Sequence, residues 1–105
     1  MAEGYINTNP TEWVNAANGI DCYRSGRVCT VMFTGGSDTA TIPDGYRPRQ
    51  TVQTLVRGTD GNNVRQVCLV TIQSNGAMST SYFIPNSTTA NVFTGILSGQ
   101  IVYMI

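Results

Sequence analysis

The sequence predicts an all-β fold: an antiparallel β-sandwich or barrel of roughly seven or eight short strands. Three observations predict it. Short β-rich runs alternate with clusters of Gly, Asn, Asp, Ser and Pro along the chain. Helix signals are nearly absent: only "PTEWVNAAN", Pro10 to Asn18, has room for a turn of helix, and the Asn-Gly that ends it is a stop. The 105 residues supply one modest core and hence one domain.

The first hairpin is read in "GIDCYRSGRVCTVMF". With Ser25-Gly26 as a two-residue turn, Arg24 faces Arg27, Tyr23 faces Val28 and Cys22 faces Cys29. Cys22, Cys29, Val31 and Phe33 then share one face, and Tyr23, Val28, Thr30 and Met32 the other. The opposed arginines are a like-charge pair, and Asp21 is the neighbouring acid expected to relieve it. An anionic phosphoglycan is the sharper alternative partner.

Next comes "TIPDGYRPRQ", Thr41 to Gln50. Pro43 and Pro48 fix their own φ and extend the residue before them, while Asp44-Gly45 supplies a turn. This is the chemistry of a rigid strand-to-strand corner. Tyr46 is expected to pack its ring while its hydroxyl finds a backbone partner. Arg47 is expected to cover apolar surface or pair with Asp44.

The strands "QTVQTLVR" and "NVRQVCLVTIQ" follow, joined by "GTDGNN", where Asp60-Gly61 signals the turn. "QSNGAM" reads as a three-residue loop with Gly76 left-handed. That register sets Met78, Thr80 and Tyr82 beside Ile72, Val70 and Cys68. After a polar segment, "VFTGILSGQIVYMI" closes the chain as one or two strands.

Several strands are apolar on both faces. Cys68, Val70 and Ile72 alternate with Val67 and Leu69; Ile101, Tyr103 and Ile105 alternate with Val102 and Met104. A sheet with one wet face alternates more cleanly. A second burial surface is therefore expected, and further copies of the chain are its simplest source.

Composition narrows the function classes. Charged residues are 11% of the chain, with no Lys or His and a net charge of zero. That leaves no electrostatic footprint for nucleic acid, and no apolar run long enough to span a membrane as a helix. Cys22, Cys29 and Cys68 lack metal-ligand spacing, so no metal or other cofactor is expected. They sit in Val-rich runs as small apolar residues. In the register above, Cys22 and Cys29 form a hydrogen-bonded pair with diverging side chains, which disfavours a disulfide. The start "MAEGYINTNP" lacks a signal peptide, so cytosolic synthesis is expected.

Taken in order, "RSGRV", "ATIPDGYRP", paired strands, an "SNG" turn and "TGILSGQIVYMI" resemble the C-terminal head domains of bacteriophage tail-fibre and baseplate receptor-binding proteins, of the type found in phages and prophages of Gram-positive bacteria. Ile42 stands where leucine is usual in their leucine-proline-x-glycine-tyrosine-arginine-proline corner. The likeness spans Trp13 to Ile105. It implies a jelly-roll-like β head at 13–105, with 1–12 a linker or the end of a shaft. It further implies a homotrimer at the virion's tail tip that binds host cell-wall saccharides beside other tail and baseplate proteins, with no enzymatic activity. The cysteines are not part of that pattern.

The candidate ligand residues are on loops, where polar groups are placed freely on a rigid sheet. Arg57, Asp60, Asn62 and Asn63 offer a guanidinium, a carboxylate and two amides at one hairpin; their plainer reading is a polar turn. Tyr82 and Asn86 form a second candidate. Trp13 is either a stacking platform or a plug over the sandwich end, and the burial of large aromatics favours the plug. The rival class is a structural tail or baseplate domain without a ligand. A glycan-cleaving enzyme, ranked third, requires a close acidic pair.

Overall fold

The computed structural model describes residues 13–83 and 88–105. The expected linker at 1–12 lies outside them. The described residues form nine strands: β1 (Val14–Ala17), β2 (Ile20–Ser25), β3 (Val28–Thr34), β4 (Ala40–Thr41), β5 (Val52–Asp60), β6 (Arg65–Ile72), β7 (Ala77–Phe83), β8 (Ala90–Val92) and β9 (Gly95–Met104). Among the described residues there is no helix. Every pairing is antiparallel, in the order β1-β2-β3-β9-β5-β6-β7-β4, with β8 also on β7. The end strands β1 and β4 lie beside each other. The sheet therefore curls into a nearly closed barrel, leaving little open edge.

Alternation selects the core. Cys22, Cys29, Val31, Phe33, Cys68, Val70, Ile72, Leu97, Ile101 and Tyr103 all point inward and are buried. No pair of cysteines is bridged. Thr80 is the buried polar side chain, and its hydroxyl donates to the Asp38 carbonyl at 2.6 Å.

Two sequence expectations need correction. The segment 14–17 is strand, not helix: Asn18-Gly19 closes a hairpin in which Ala17 faces Ile20. An Asn-Gly pair is the favoured two-residue hairpin turn, and here it joins β1 to β2 rather than ending a helix. In the next hairpin Ser25 faces Val28 and Arg24 faces Cys29, so the turn is Gly26-Arg27, one residue later than expected. The partner strand is displaced by two residues. Side chains alternate with a period of two, so the two faces survive intact although every pair changes. Arg24 and Arg27 are not opposed, and Cys22 faces Val31. Arg24 donates instead to the carbonyls of Gly26 and Gly45, both at 2.8 Å. Asp21 accepts from Asn15 Nδ2 at 2.9 Å.

The later turns follow the sequence more closely. Gln73 faces Ala77 across Ser74-Asn75-Gly76, and Met78 and Thr80 stand beside Ile72 and Val70. The loop between β5 and β6 is Gly61-Asn62-Asn63. Asp60 N–H donates to the Val64 carbonyl at 3.0 Å, and Asn63 carries the left-handed φ of 66°.

The Thr41–Gln50 corner is built into the fold. Tyr46 N–H donates to the Pro43 carbonyl at 3.1 Å, and Gly45 has φ 91°, as a type II turn requires. Ile42 and Pro48 are buried. Arg47 Nε donates to the Ile42 carbonyl at 2.8 Å rather than pairing with Asp44. The Tyr46 carbonyl accepts from the Tyr103 hydroxyl and from Cys29 Sγ. The polar groups of this corner serve its own geometry.

Candidate functional site

Strand β9 is shared unevenly between its two neighbours in the barrel wall. Ser98 to Met104 pair with β3, whereas Gly95 to Ser98 pair with β5. Ser98 belongs to both ladders, facing Thr34 on one side and Arg57 on the other. Past it, at Gly99, the backbone passes so close to Val56 that a Cβ would lie 2.9 Å from Val56 Cγ1, and φ is 149°. Only glycine suits that position. The result is an outward-facing groove of about 650 Å³ around Ser98, lined by Met32, Thr34, Arg57, Ser98, Gly99 and Gln100.

The groove combines a guanidinium, hydroxyls, an amide and a thioether. Such a set can orient a small polyhydroxylated ligand. Among the described residues Arg57 has no hydrogen-bond or ion-pair partner, and its side chain is exposed on the outward face of β5.

The sequence-selected residues do not converge. Asp60 Oδ1 accepts from the backbone N–H of Asn62 and of Val64, both at 2.9 Å, so this carboxylate holds the hairpin turn. Asn62 and Asn63 are exposed at that tip. Arg57 is three residues back along the strand, roughly 10 Å away, and belongs to the groove. Tyr82 is half-buried, its ring edge-on to Phe93 with centroids 6.4 Å apart. Asn86 lies outside the described residues. Trp13 is 47% exposed and leans on the Tyr23 ring at 5.1 Å, so it is no plug. It stands at the far edge of the sheet from β5.

Met32, Ser98 and Gln100 were missed by reasoning from loops, because they lie on strands. A partial signal existed: "SGQ" interrupts the apolar alternation of the closing strand.

The outer wall also carries two apolar bands. On β5 to β8, Leu55 faces Leu69, Leu69 faces Ser81 and Ser81 faces Val92, with Val67 and Phe83 alongside. Leu55, Val67 and Val92 are 67%, 66% and 83% exposed. On β3 and β9, Val28 faces Met104, and Val102 lies one step along; all three are exposed.

Among the described residues no group of His, Cys, Asp and Glu is arranged to hold a metal ion. The described carboxylates are engaged locally: Asp21 with Asn15, Asp38 with Gly95 N–H, Asp44 with Gly45 N–H and Asp60 with its turn. No family model, curated protein or solved structure matches the chain.

Proposed function

We propose that this chain is the head of a phage tail adhesin: a homotrimer of jelly-roll-like heads that recognises saccharides of the host cell wall from the tip of the virion. The observation that carries this reading is the apolar band of Leu55, Val67, Leu69 and Val92 on the outside of a nearly closed barrel. The inward faces already fill the core, so these side chains are surplus to the fold of one subunit. With charged residues at only 11%, little else keeps that wall apart from another copy. Assembly in threes would multiply weak saccharide contacts by avidity.

A structural tail or baseplate domain without a ligand is the second reading. It is favoured by one observation: Asp60, the acid of the hairpin tip, is consumed by its own turn.

Sedimentation equilibrium tests assembly, and adsorption to purified cell walls tests binding. A mass three times the 11.3 kDa of one chain is expected. Leu55→Glu with Leu69→Glu should yield folded monomers that no longer adsorb. A wild-type monomer at high concentration would overturn the adhesin reading. Intact trimers that bind no cell-wall material would leave the structural one.

A further inference from the structure

We infer that the groove at the β3–β9–β5 junction is an anionic-saccharide site, with Arg57 taking the carboxylate or phosphate of the sugar and Ser98, Gln100 and Thr34 its hydroxyls. This deepens the saccharide reading above and rests on it.

Arg57 and Arg24 show what distinguishes the groove. Arg24 spends its guanidinium on the carbonyls of Gly26 and Gly45, and Arg47 likewise donates to Ile42. Those two arginines are components of the fold. The guanidinium of Arg57 has no such partner among the described residues; the same is true of Arg27, Arg49 and Arg65, but of these four only Arg57 lines the groove, and it does so from a paired strand. Two ladders hold the Arg57 backbone, with Val67 opposite on one side and Ser98 on the other.

Charge selects the ligand class. No carboxylate lines the groove. On the same outer wall, Asp21 is opposite Met32 but on β2, three strands from β5 and hence roughly 14 Å away. It already accepts from Asn15. Asp60 faces its own turn. An oxyanion placed beside Arg57 therefore meets a guanidinium with no neighbouring acid among the described residues, the arrangement for a charge-assisted, two-pronged contact.

Shape selects the rest. The groove's volume falls within the range of small-ligand sites. Gly99 packs its backbone against buried Val56, and Ser98 and Gln100 on either side of it turn outward into the groove. Met32 supplies an apolar wall for C–H groups, and Ser98, Gln100 and Thr34 supply donors and acceptors for hydroxyls. Two other arginine-lined depressions are smaller: one at Arg24 and Arg47 also holds Asp44, and the other lies at Arg49, Gln50 and Met104.

The test is amide and arginine-Nε chemical-shift mapping on the full chain, titrated separately with glucuronic acid, glycerol 1-phosphate and glucose. The expected result is shifts at Arg57 Nε and the amides of Ser98, Gly99 and Gln100 with one or both anions. Arg57→Gln should weaken that binding about tenfold or more, while the thermal midpoint stays near wild type. A stronger response to glucuronic acid assigns a carboxylate sugar, and a stronger response to glycerol 1-phosphate a phosphate-bearing one. Shifts with glucose equal to those with the anions, anion shifts that persist in Arg57→Gln, or no shifts at the groove would each overturn the inference. Trimer mass and cell-wall adsorption, measured on the same preparation, report on the adhesin reading separately. A silent groove on adsorbing trimers sinks this site alone.

Discussion

The Tyr103 hydroxyl on β9 donates a hydrogen bond to the Tyr46 carbonyl in the Pro43–Tyr46 turn. This contact ties the last strand to the corner that precedes β5, across 57 residues of chain. The carbonyl has one other donor, the weak Cys29 thiol at 3.5 Å. Removing the hydroxyl leaves it underbonded in a largely buried place. Tyr103→Phe should cost about 1–2 kcal/mol, read as a lower urea midpoint with an unchanged slope. An unchanged midpoint would mean that the corner finds another donor.

Gly58 is a packing constraint of a different kind. A Cβ there would lie 2.5 Å from Cys68 Sγ and 2.6 Å from Phe93 Cζ, both buried. Gly58→Ala therefore overpacks the core and should cost about 1–3 kcal/mol. Adding Cys68→Ala removes one of the clashing atoms. The double variant should lose less than the sum of the two single losses, because the sites share a contact. Strict additivity in thermal unfolding would refute that coupling.

The roles of Asp60 and Arg57 separate in the same hairpin. Asp60→Ala removes the acceptor for the Asn62 and Val64 N–H groups, and a loss of about 1 kcal/mol is expected. Asn at this position should restore most of it, since its amide oxygen can accept the same bonds. Neither variant should change adsorption. Arg57→Gln should do the reverse, sparing stability. Adsorption lost in Asp60→Ala with the fold intact would return the binding site to the hairpin tip.

How much of this was legible in the sequence depends on the range of the interaction. Faces were legible: Cys22, Cys29, Val31 and Phe33 share the core although their hairpin register is displaced by two, because alternation ignores even shifts. The Ser74-Asn75-Gly76 loop was legible because its geometry is local. The Gly26-Arg27 turn was misplaced by one residue, although Gly at the first turn position, here with φ 61°, is a local signal for it. The groove was not legible. It exists because β9 changes partner at Ser98, bringing Met32, Arg57 and Gln100 together from three strands. No local pattern encodes a partner change. Trp13 illustrates a statistical prior failing on one residue: large aromatics are mostly buried, yet this one lies on Tyr23 with half its surface open.

The three thiols make stability sensitive to alkali. Burial raises all of them; Cys22 is pushed up to about 12, by loss of water first and then by Cys29 and Asp21 nearby. The ordinary thiol value is 9.0. Above about that pH the unfolded chain releases protons that the folded chain keeps, so unfolding becomes progressively easier. Stability from this source is full below pH 9 and is lost as pH rises from 9 towards 12. Tyr103, raised in the same direction by burial, extends the decline at the alkaline end. The urea midpoint should hold steady from pH 7 to about 8.5 and fall beyond about 9. Cys22→Ala should flatten the fall, because the residue with the value pushed to about 12 is gone. Thiol reagents should leave the native protein unmodified at pH 8 and label all three cysteines once it is unfolded. A midpoint that rises with alkali, or native thiols that react at once, would show that water reaches the barrel interior.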